Sequence, residues 1–173
     1  MRRIAAMVAG VMLNTLLTAS PVLADGPDQS TGNAPIVNDS YHFTDMLAEF
    51  YGDDPCTGEP LFVSELETGS AHEMMLADGR VAITGGFRAD FQADTNGDSE
   101  FDIAGRYTLR YTVNGWFDPA TGAFTGMARS TFSWNGEYWG LDGGPATRFH
   151  QTMHLVGDAY GDVKHALFKA RCW

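Results

Sequence analysis

Cysteine is scarce in this chain. Only Cys56 and Cys172 are present among 173 residues, and the second is the penultimate residue. Two thiols are too few for a cysteine-rich scaffold or a four-cysteine zinc site. Basic residues are also sparse: 11 Lys and Arg face 22 Asp and Glu, a formal net charge of −11. Such a surface repels phosphate backbones and anionic lipid, which argues against nucleic-acid and membrane partners. After the first two dozen residues no apolar run approaches the ~20 residues needed to span a bilayer as a helix. No stretch holds a sustained helical period either, with Phe43 to Tyr51 coming nearest.

The chemical signatures of common enzymes are missing as well. There is no G-x-S-x-G, no H-E-x-x-H and no glycine-rich phosphate loop. His72-Glu73 lacks the second histidine of a metalloprotease, because Leu76 stands in its place. Carboxylates such as Asp90 and Asp102 could pair for acid–base work, but a chain this acidic offers many such pairs.

What is present begins with a three-part N-terminus. Arg2 and Arg3 precede an apolar run from Ile4 to Leu17, and Val22-Leu23-Ala24 supplies compact residues for cleavage. Residues 1–24 therefore read as a signal peptide, and the protein as secreted, extracellular or periplasmic. Loss of Arg2 and Arg3 would take the formal charge from −11 to −13. Residues 25–40 (DGPDQSTGNAPIVNDS) lack periodicity and read as a disordered leader. Residues 41–173 then have the size of one domain.

Within that domain, apolar–polar alternation is interrupted by recurrent turn signals: Asp78-Gly79, Asn96-Gly97, Asn114-Gly115, DPATG over 118–122, Asn135-Gly136 and GDAYG over 157–161. The pattern predicts strands near 42–51, 60–67, 70–77, 80–92, 100–117, 123–134, 146–157 and 162–172. The expected fold is all-β: a single antiparallel barrel of about eight strands, closed by a disulfide between Cys56 and Cys172. On the chain-entropy model, a loop of about 115 residues gives such a bridge ~4–5 kcal/mol of stabilisation. Pairing Asp158 with Gly161 sets the last hairpin so that Phe149, Gln151, Met153, Leu155, Ala166, Phe168, Ala170 and Cys172 share a core face. The same register places His154 opposite His165 on the polar face, two possible ligands for zinc or copper without an evident third.

Two further constellations suggest ligands. Asp94, Asn96, Asp98 and Glu100, with Asp90 and Asp102 flanking, place oxygens at alternate positions as a calcium loop would. Counted from Asp94, however, Ser99 holds the sixth position and Gly105 the twelfth, where an EF-hand has glycine and glutamate. The alternative is an Asn96-Gly97 hairpin flanked by solvated acids. The reading is therefore no cofactor, with calcium at this loop as the alternative. Trp116, Trp134, Tyr138 and Trp139 would gather at a barrel mouth beside a glycine-rich loop, fit for a small apolar or aromatic ligand or a partner, or else plug the barrel end. An enzyme reading is a barrel-type cyclase or isomerase acting on an apolar molecule, with Arg106, Arg110 or Glu137 polarising it.

From Asp54-Pro55-Cys56-Thr57-Gly58-Glu59 onward the chain resembles small secreted bacterial proteins that have no established activity. They share a Pro-Cys-x-Gly-Glu type motif, a tyrosine-rich middle and a cysteine in the last strand. The resemblance would cover residues 54–173; it implies a disulfide and a β-barrel and carries no catalytic residues. In size and strand rhythm the chain is also similar to lipocalin-like and allene-oxide-cyclase-like barrels, though it lacks the lipocalin Gly-x-Trp.

Overall fold

The computed structural model describes residues 35–118, 123–124, 126–158 and 163–173. The expected signal peptide and residues 25–34 of the leader lie outside them. The strands are β1 (Pro35–Asp53), β2 (Pro60–Leu76), β3 (Arg80–Asp94), β4 (Ile103–Asp118), β5 (Ala123–Phe124), β6 (Ala128–Gly140), β7 (Thr147–Gly157) and β8 (Val163–Cys172). They form one antiparallel sheet in the order β1-β2-β3-β4-β6-β7-β8, with two-residue β5 paired to the end of β4. The all-β antiparallel expectation holds, and strand structure begins at Pro35, six residues inside the expected leader.

The sheet is not closed. β1 and β8 are its two edges and share no ladder. The reason lies in strand count. Residues 60–76 form one strand where a break near Thr68-Gly69 was expected, so seven full strands alternate in direction. The first and last therefore run the same way. Closure would need a parallel seam, with slanted and slightly weaker hydrogen bonds, in place of one more antiparallel pair. β8 is consequently exposed along its whole length, and Phe168, expected in the core, is 56% exposed.

Alternation assigns the faces. On β2, Leu61, Val63, Glu65, Glu67, Ala71, Glu73 and Met75 are buried, while the intervening side chains are half-buried or exposed. The same period carries Val81, Ile83, Phe87, Ala89 and Ala93 inward on β3, and Leu109, Tyr111 and Val113 on β4. Burying a Leu- or Phe-sized side chain contributes ~1.5–3 kcal/mol each, so this face holds the fold together.

The disulfide joins Cys56 to Cys172 across 5.8 Å between Cα atoms, and no free cysteine remains. Asp54 shapes the β1–β2 turn that carries Cys56: its Oδ1 accepts from the Cys56 and Thr57 amides at 2.6 and 2.7 Å. The bridge thus fastens the two edges at one end, where the backbones of Arg148 and Trp173 also exchange hydrogen bonds. It pins the curl without sealing it. A disulfide is compatible with an extracellular or periplasmic location.

In the last hairpin, His154 lies opposite Leu167 and Val156 opposite His165, a two-residue offset from the expected pairing. An even offset preserves the faces but separates the proposed histidine pair. Among the described residues no group of three His, Cys, Asp or Glu could hold a metal ion.

Candidate functional site

The four aromatic residues expected at one mouth do not meet. Trp116 ends β4 opposite Arg80, points outward and is 49% exposed. Trp139 pairs with Ala104 near the other end of the same strand. Twelve residues at ~3.3 Å each put roughly 40 Å between those positions. Trp134 and Tyr138 do face inward: Trp134 stacks on Phe132 at 5.6 Å and Tyr138 lies 6.2 Å from Phe149. Asn135-Gly136 is not a turn but the middle of β6. A Cβ on Gly136 would sit 2.6 Å from both the Phe149 ring and the Tyr107 Cβ, so the glycine serves interior packing.

The 94–102 loop is organised by its own side chains. Asp94 accepts from the amides of Asn96, Gly97 and Ser99 at 3.0, 2.7 and 2.8 Å. Asn96 accepts from the Asp98 amide and Asp98 from the Glu100 amide, each at 2.9 Å. Burial acts to raise Asp94, but these amides outweigh it and hold its carboxyl below the usual range. Asp102 binds Thr95, and Asp90 binds Arg88, so that carboxylate pair is not assembled.

The acids that do come together are Glu65 and Glu67, side by side on the inner face of β2. Glu65 is 2% exposed. The Tyr107 hydroxyl, reaching in from β4, donates to its two carboxylate oxygens at 2.8 and 2.9 Å. Burial, then a hydrogen bond with Glu67, raises Glu65 from 4.5 to about 8. Burial raises Glu67 too, and the shared hydrogen bond opposes that rise. Tyr107 is driven well above its ordinary value by burial and by Glu65. One proton shared between the two glutamates near neutrality is the simplest state of this cluster, because two adjacent carboxylates away from water cannot both ionise cheaply. Further along β2, Glu73 lies opposite Asp39 and is also raised, by burial first and then by Asp39.

Aromatic rings surround the cluster. Tyr107 lies 5.9 Å from Phe87 and 6.0 Å from Phe91, and Tyr111 stacks on Phe132 at 6.3 Å. No Arg, Lys or His occupies an inward position on β1–β7 among the described residues; these side chains alternate onto the outer face. Arg106 and Glu137, named for the enzyme reading, form a 2.6 Å ion pair there, which holds Glu137 below its usual range. Arg110 is on the outer face too.

Glu65, Glu67 and Tyr107 went unread as a site in the sequence. A signal existed: both glutamates fall in phase with Leu61, Val63, Ala71 and Met75 at period two. A carboxylate in that phase still reads as solvated until the strand that covers it is known.

No family model, curated protein or solved structure matches this chain.

Proposed function

We propose that the protein is an exported binding module whose curved inner face takes a small molecule with an apolar or aromatic body and a basic nitrogen. The observation that carries this is the buried Glu65–Glu67 pair among aromatic rings, with no inward cation on β1–β7 among the described residues. Rings attract cations over their faces, and a buried carboxylate gains most from an opposite charge in the same dry site. The unclosed side supplies an approach: Met46, opposite Glu67 on edge strand β1, is 43% exposed, and Phe168 on the other edge is more so.

Trp134, the inner-face tryptophan among the described residues, gives the readout. An alkyl trimethylammonium should change its emission saturably and bind about tenfold or more tighter than an alkyl sulfate of equal chain length. Glu67→Gln should abolish that preference. Equal affinity for the two probes overturns the reading.

Glu65 favours a second reading, a cyclase or isomerase acting on the same face. A carboxyl that keeps its proton near neutral pH beside a tyrosine can serve as a general acid toward an apolar substrate. Under this reading bound ligand is chemically altered on incubation and Glu65→Gln stops the change while leaving binding intact. Under the binding reading the ligand is recovered unaltered.

A further inference from the structure

The outer face carries a separate feature. Across β1–β4 it is hollowed into a groove of about 600 Å³, within the range of small-molecule sites. The registers lay its polar side chains out as a grid. Thr68, Arg88 and Thr108 form one row; His42, Ser70, Gly86 and Arg110 the next; Ser40, His72 and Thr84 the third. With strands ~4.8 Å apart, a row of three spans about 10 Å, the width of one sugar ring with its substituents.

No carboxylate lines this groove, in a chain with twice as many acids as bases. Arg88 uses Nη2 to hold Asp90 outside it, at 3.0 Å to each oxygen. Arg110 forms no salt bridge among the described residues. Its stem lies along bare backbone: a Cβ on Gly86 would stand 3.4 Å from Arg110 Cγ and 2.7 Å from the Leu109 carbonyl. Gly86 thus leaves the floor open beside a guanidinium that has no ion pair among the described residues. A planar five-donor fork matches the oxygens of a phosphate or sulfate, and flanking hydroxyls and imidazoles suit a polyol.

We propose that this groove binds an anionic ester of a sugar, phosphate or sulfate, with Arg110 and Arg88 on the oxyanion and the hydroxyl and imidazole rows on the sugar. The site is independent of the inner face, so either can fail without the other. Calorimetry and amide chemical shifts on the full exported chain test it, with glucose 6-phosphate, glucose 6-sulfate, glucose and inorganic phosphate as probes. At least one ester should bind saturably and shift amides of β2–β4, and comparison of the two esters identifies the preferred oxyanion. Glucose and inorganic phosphate should each bind about tenfold or more weaker than that ester. Arg110→Met should weaken ester binding about tenfold or more, Arg110→Lys less, and Arg148→Met, outside the groove, not at all, with near-UV circular dichroism confirming each fold. Absence of saturable ester binding up to about 10 mM overturns the proposal. So does glucose or inorganic phosphate matching the ester, or Arg110→Met and Arg110→Lys both binding it as the parent does.

Discussion

Glu65 makes this protein's stability depend on pH in an uncommon direction for an acidic chain. Its folded value, about 8, lies above the ordinary 4.5, so between those values the folded state holds a proton that the unfolded state has lost. Stability from this group is complete below pH 4.5, falls as pH rises through that window and levels off above about 8. The slope is at most ~1.4 kcal/mol per pH unit for one proton. Glu65→Gln, which keeps an oxygen for the Tyr107 hydroxyl, should flatten the slope and leave the variant more stable than the parent at pH 8.5. Urea midpoints at pH 6 and 8.5 measure it; a parent whose stability does not fall between them refutes the assignment. Gly136 gives a second expectation. Gly136→Ala forces a methyl against Phe149, Tyr107 and the Arg106 carbonyl, and should cost about 1–3 kcal/mol in urea melts at fixed pH. The alternation of Tyr107, Leu109, Tyr111 and Val113 was legible because nothing interrupts β4's period. Glu65 was not, because a carboxylate in phase with apolar neighbours reads as a solvated residue until something is seen to cover it.

Among the elements, β8 stands apart. It pairs only with β7 and is exposed on both faces, although Ala166, Phe168 and Ala170 alternate as a core strand would. Its amides should exchange with deuterium faster than those of β3 and β4, which are paired on both sides, and reduction of the disulfide should speed them further. Protection of β8 equal to that of β3 would mean that something covers this edge in solution. Strand positions were largely legible, since alternation and turn residues are local. Closure was not. Whether Gly69 breaks a strand or lets it pass close to Phe87 depends on a neighbour distant in sequence and adjacent only in space, 18 positions along the chain. That single glycine changes the count from even to odd.

For the whole molecule, the Cys56–Cys172 bridge is the long-range contact that both residue chemistry and position announced. Replacing either cysteine by serine should cost roughly 2–5 kcal/mol and lower the melting temperature by several degrees. Non-reducing peptide mapping should recover the two cysteine peptides linked. The bridge also decides how the protein carries load. A pull on both ends of the chain passes from β1 into Cys56, across the sulfurs and out at Trp173, bypassing the 116-residue span between the cysteines. Among the described strands only β1 lies along that path, and at ~3.3 Å per residue its 19 residues already stand near the roughly 65 Å of full extension, so the load should run through its backbone with little lengthening. The other strands would feel no tension until the sulfurs part.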